Sequence, residues 1–159
     1  MRKYILLFFV LVAYSCSPIK KYKNTASVFE KEILNLEKLD SIKQATKEDL
    51  LFIGSSSVRL WNEIERDMTP YISIKRGYGG AHYYDLIHFI ERLVINHSPK
   101  AILIFVANDI TGSEDVFKSR TDLSPKEVKR LFEYCFNLIR KIHKDIPVYV
   151  IETTPTPSR

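Results

Sequence analysis

Apolar positions in this chain fall alternately into short unbroken runs and longer segments with a period near 3.6, and that alternation predicts the fold. The runs near 49–53, 71–75, 101–106 and 147–152 have the length and the β-branched and aromatic content of strands. Between them the spacing predicts helices near 56–65, 81–95 and 124–143. Upstream, Phe29, Ile33, Leu36, Leu39 or Asp40, and Ile42 share one face of a further helix from Val28, expected to pack on the sheet. Ser124-Pro125-Lys126-Glu127 marks the last helix start, with Ser124 as N-cap, Pro125 in the first turn and Glu127 at the third position of a capping box. Strands alternating with helices predict an α/β fold: a parallel sheet covered on both faces, a three-layer α/β/α sandwich. No internal repeat or low-complexity tract interrupts the pattern.

The N-terminus departs from it. Met1-Arg2-Lys3 supplies positive charge, Tyr4 to Ala13 an apolar stretch, and Ala13-Tyr14-Ser15-Cys16 a group of small residues ending in cysteine. The stretch is too short for a comfortable membrane span. It is similar to a bacterial lipoprotein signal, which implies cleavage before Cys16 and lipidation of its sulfur; ordinary secretion is the competing reading. The expected organisation is a signal peptide at 1–15, a basic tether at 16–27 and one domain at 28–159. The protein is then expected to be exported and held by a lipid anchor at the bacterial cell envelope, facing the periplasm or the surface. A simple solvated spacer is the plainest role for the tether. Loss of Arg2 and Lys3 lowers the formal charge from +5 to +3, too little and too scattered for nucleic-acid binding. Cys135 would be the one remaining thiol, expected as a small buried residue of a helix, with no disulfide framework.

The candidate chemistry sits where strands end. Leu50-Leu51-Phe52-Ile53-Gly54-Ser55-Ser56-Ser57 is an apolar run broken by a glycine, with three hydroxyls where a helix should begin. Helix capping alone would account for serines there. A second run ends in Arg76-Gly77-Tyr78-Gly79-Gly80-Ala81-His82, a flexible turn with exposed N–H groups, and a third in Ala107-Asn108-Asp109. Ligands of open α/β sheets bind at these carboxyl ends of strands.

Gly54-Ser55-Ser56, Gly79-Gly80 and Asn108-Asp109, in that order and each after a strand, with Arg59-Leu60-Trp61 following the first, resemble the SGNH (GDSL-like) hydrolases over roughly residues 47–159. The resemblance implies a flavodoxin-like parallel sheet and ester hydrolysis on small acyl groups, with deacetylation of glycans or lipids among the options. Position by position it implies Ser56 as nucleophile and, as oxyanion donors, the Ser56 N–H, the Gly80 N–H and the Asn108 side-chain amide. Asp109 is expected to be structural. No metal or organic cofactor is implied; the expected partners are an acyl ester or acylated carbohydrate and, through the anchor, a membrane.

Three departures from the family pattern stand out. Ser55 replaces the usual Asp, as in a Gly-Ser-Ser-Ser subset. Ala107 replaces a frequent glycine, and alanine resists positive φ. The family's C-terminal Asp-x-x-His is missing, which implies a chain truncated relative to the family; if the chain is complete, it is an impaired esterase or pseudoenzyme. Asp85-Leu86-Ile87-His88 has that spelling but reads as a helical surface pair. His82 is expected at the rim in substrate contact, and His97 and His143 are expected to face solvent without metal-ligand spacing. The polar stretch 111–123 is expected to rim the site. The rival from another class is a catalytically dead envelope lipoprotein binding glycan or peptide in the same cleft. A nucleotide-binding module has less support, because no phosphate-cradling glycine run follows a strand.

Overall fold

The computed structural model describes residues 18–22, 26–110 and 122–153. Four strands, β1 (Asp49–Gly54), β2 (Ile72–Gly77), β3 (Ala101–Phe105) and β4 (Val148–Val150), form one sheet in the order β2-β1-β3-β4, and every pairing is parallel. Gly54 at the end of central β1 is in register with Gly77 of β2 and Phe105 of β3, so the three strands finish level.

The alternation of side chains along each strand explains why the runs are apolar throughout. Leu51, Ile53, Ile74, Ile102 and Ile104 point to one face, where they pack with Ile33 of α2 (Glu30–Asp40), Leu86, Ile90 and Leu93 of α5 (Tyr83–Val94) and Leu131, Cys135 and Ile139 of α6 (Pro125–Ile142). Phe52 points to the other face, to Val58 of α3 (Ser56–Arg59) and Ile64 of α4 (Ile64–Asp67), with Leu50, Leu103, Phe105 and Trp61 around them. Helices cover both faces, as the alternation predicts. Each fully buried side chain of this size contributes about 1.5–3 kcal/mol relative to exposure.

The helix expected over 56–65 is instead two four-residue helices, α3 and α4. The break has a cause at Trp61. Its carbonyl accepts from Lys75 Nζ at 3.0 Å rather than from a helical amide, and its ring turns edge-on to Phe52 at 5.7 Å and donates Nε1–H to Asp67 at 2.7 Å. At α6 the cap is as expected, Ser124 Oγ accepting from the Glu127 N–H at 3.3 Å. The Glu127 carboxylate does not reach back to complete the box. It binds Arg130, the Tyr22 hydroxyl and Lys21, and these partners, Arg130 first, hold it down at about 2.

That last contact docks the N-terminal segment. Within the stretch expected as tether, α1 (Pro18–Lys21) and Tyr22 lie against the domain, the Tyr22 ring stacked on Tyr84 at 5.0 Å and the Tyr22 carbonyl 3.1 Å from His88 Nε2. Arg92 of α5 grips α2 with a two-pronged pair to Glu37 at 2.7 and 2.8 Å and a bond to Glu30 at 3.0 Å. Among the described residues no helix is long and apolar enough to cross a membrane. The segment expected as a signal sequence, and Cys16, lie outside the described residues.

Candidate active site

Three turns meet at the carboxyl end of the sheet. The first follows β1, where Gly54 has φ +140° and a Cβ would collide with the Phe105 carbonyl, so only glycine lets β1 and β3 close there. Ser55 is fully buried, its N–H donating to the same carbonyl at 2.9 Å and its Oγ 3.5 Å away. Ser56 and Ser57 are half-buried in the first turn of α3. Ser55 is therefore set apart as structural from Ser56 and Ser57, which are partly exposed.

The second turn is held by its neighbours. The Tyr78 N–H donates to the Gly54 carbonyl at 3.1 Å, and the Gly79 N–H to Glu32 Oε2 at 3.0 Å. Gly80 adopts φ +69° with nothing within 4 Å of where a Cβ would stand, and its carbonyl lies 3.1 Å from His82 Nδ1.

The third turn follows β3. Asn108 Nδ2 donates to the Ala81 carbonyl at 2.9 Å, joining this turn to the second. Among the described residues no non-glycine has positive φ, so Ala107 brings no strain to the loop. Asp109 is buried and structural: its carboxylate accepts from the Tyr83 N–H at 3.1 Å at the start of α5, and its carbonyl accepts from the Leu123 N–H at 2.8 Å. Burial, chiefly, raises its acid to about 7; the Tyr83 bond opposes the shift, and Asp85 and Asp122 add to it.

Among the described residues, neither the Ser56 N–H nor the Gly80 N–H has a protein acceptor, and Asn108 uses one of its two amide hydrogens on Ala81. Beside the Asn108 turn a groove of about 450 Å³ is lined by Val106, Ile110, Val128, Phe132 and Ile151. Among the described residues no cluster of three His, Cys, Asp or Glu could hold a metal. The 111–121 part of the expected rim lies outside the described residues.

The histidines are placed differently from their sequence reading. His82 is buried rather than at an open rim, its ring stacked on Tyr84 at 4.7 Å. Asp85 and His88 are not a surface pair: Asp85 is fully buried and accepts from the His82 N–H at 3.0 Å, while His88 is half-buried against Tyr22, and burial lowers its pKa. His97, expected in solvent, is buried in an ionic cluster. Its Nδ1 accepts from the Ala45 N–H at 2.9 Å and its Nε2 stands 3.1 Å from Asp40, whose carboxylate also takes Arg76 Nε at 2.6 Å. An Nδ1 that accepts carries no proton, so His97 is neutral with its proton on Nε2. Burial depresses its pKa accordingly. His143 closes α6, Nε2 lying 2.9 Å from the Val94 carbonyl. Cys135 is buried, as expected for a small core residue, and desolvation pushes its thiol well above its ordinary range.

No protein-family profile matches this chain, and no curated protein does. Solved structures do. A candidate platelet activating factor from Streptococcus pneumonia is similar with a TM-score of 0.61 and 19% identity, over 89% of this chain and 62% of its own. A candidate acylhydrolase from Bacteroides fragilis follows at 0.54 and 22%, over 80% and 56%, and a GDSL-like lipase from Bacteroides thetaiotaomicron at 0.53 and 17%, over 74% and 56%. At these identities the likeness is one of fold: a parallel α/β sheet with helices on both sides. The chain spans about three fifths of the length of these structures.

Proposed function

We propose that this protein is a serine ester hydrolase acting on small acyl esters, acylated carbohydrate or lipid among them, with Ser56 as nucleophile. The observation that supports the reading is that the turns bearing Ser56, Gly80 and Asn108 lie at one sheet end, the Ser56 and Gly80 N–H groups having no protein acceptor among the described residues and Asn108 keeping a spare amide hydrogen. Acyl transfer puts negative charge on the former carbonyl oxygen, and one fixed donor aimed there is worth roughly 2.7–4 kcal/mol. The apolar groove beside Asn108 gives the acyl group a surface to lie on.

In this mechanism Ser56 Oγ attacks the ester carbonyl, the alcohol leaves, and water releases the acyl group from the serine. The proton passes through a histidine. His82, His88, His97 and His143 are each seated on a backbone carbonyl or a buried carboxylate, and none is bonded to Ser56. A lipid anchor on Cys16 would hold the enzyme at the cell envelope.

The same seating of the histidines favours, as second reading, a lipoprotein that binds glycan or peptide in this cleft without turning it over. Hydrolysis of p-nitrophenyl acetate by the full-length protein separates the two. Turnover abolished by Ser56→Ala and kept by Ser57→Ala is the result expected; turnover indifferent to Ser56, or none, overturns the esterase.

A further inference from the structure

The Gly79-Gly80 turn is intrinsically loose, since two consecutive glycines lack the Cβ that confines other residues. Its backbone is nevertheless gripped at four places. Going along the chain, the Tyr78 N–H is taken by the Gly54 carbonyl, the Gly79 N–H by Glu32, the Gly80 carbonyl by His82 and the Ala81 carbonyl by Asn108. Three of these partners belong to the site or its turns. Glu32 does not: it comes from α2, 47 residues earlier.

Glu32 is well placed to hold the turn. It immediately precedes Ile33, which is fully buried against the sheet, and α2 is pinned again by the Arg92 pairs, so the carboxylate is delivered from a fixed base. A carboxylate accepting from a backbone N–H makes a stronger bond than a neutral acceptor. Arg59 of α3 also lies against the turn, its Nη2 standing 3.1 Å from where a Cβ on Gly79 would be. Gly79 is thus confined by α2 and α3, and its two torsions set the direction of the next N–H, that of Gly80.

We propose that Glu32 is a positioning residue: by holding the Gly79 amide it aims the Gly80 N–H at the oxyanion. This role rests on the esterase reading given above. It makes α2 part of the active-site machinery rather than only a cover for the sheet.

The test compares Glu32→Ala and Glu32→Gln in the full-length protein with p-nitrophenyl acetate, following kcat and KM separately, with amide hydrogen exchange at Gly79 as a second readout. Misplacing one donor by about an ångström can lower turnover up to about a hundredfold. Glu32→Ala is expected to lower kcat tenfold to about a hundredfold with KM within about twofold, and to lose protection of the Gly79 amide. Glu32→Gln, which keeps an acceptor oxygen, should restore most of kcat and the protection. A parent enzyme with Ser56-dependent turnover whose kcat is unmoved by Glu32→Ala overturns this role alone. So does Glu32→Gln matching Glu32→Ala in both readouts. Absence of Ser56-dependent turnover in the parent overturns the esterase reading, and this role with it.

Discussion

Asn108 donates its amide to the Ala81 carbonyl at 2.9 Å, and this bond couples the end of β3 to the glycine turn after β2. Asn108→Ala removes both that tie and one proposed oxyanion donor. Steady-state kinetics should show turnover down by about 10²–10³-fold, while urea unfolding shows only about 1 kcal/mol of lost stability. A large stability loss with unchanged turnover would make Asn108 a structural residue.

Gly80→Ala isolates backbone conformation, because φ is +69° and no atom lies within 4 Å of the added methyl. The cost expected in urea unfolding is therefore strain alone, about 1–2 kcal/mol. Gly54→Ala is a different case: the methyl meets the Phe105 carbonyl between paired strands, and soluble folded protein is not expected.

The buried Asp40, Arg76 and His97 cluster locks the end of α2 to β2 and to the loop after α5. Asp40→Ala leaves a buried guanidinium without its carboxylate and is expected to cost about 3–5 kcal/mol, measured by denaturant unfolding. Arg76 keeps bonds to the Lys75 and Lys43 carbonyls, so the variant should remain folded under mild conditions.

Asp109 and His97 impose opposite pH dependences on stability. Burial raises the folded pKa of Asp109 from 3.8 to about 7, so its contribution is full below about 4 and is lost as pH rises through 7. Burial lowers that of His97 below its ordinary 6.5, so its contribution is present above that value and is lost as pH falls below it. Unfolding free energies of the parent relative to Asp109→Asn should decline from pH 4 to pH 8. Relative to His97→Asn they should rise from pH 5 to pH 7. A flat difference in either series contradicts the corresponding burial effect.

The strands and the longer helices were legible because an apolar run ending in glycine and a 3.6-residue stripe are local signals, and Ser124-Pro125 announces α6 by cap chemistry alone. The three turns of the candidate site were placed at strand ends for the same reason, each being a short local motif. What was not legible is long-range. Nothing near Glu32 in sequence points to Gly79, and nothing near His97 points to Asp40. A histidine in Asn96-His97-Ser98-Pro99 has the composition of a solvent loop and is buried only because α2 and β2 bring a carboxylate and a guanidinium to it. The helix expected through 56–65 failed similarly, since Lys75, fourteen residues away, takes the Trp61 carbonyl that the helix would have used.

The most direct test of the account is covalent trapping. The full-length protein is treated with a fluorophosphonate, which modifies activated serines, and the adduct is located by mass spectrometry. A single adduct on Ser56, absent from Ser56→Ala and formed in step with loss of p-nitrophenyl acetate hydrolysis, is the result predicted. An adduct on Ser57 or elsewhere, or hydrolysis that survives Ser56→Ala, would contradict it.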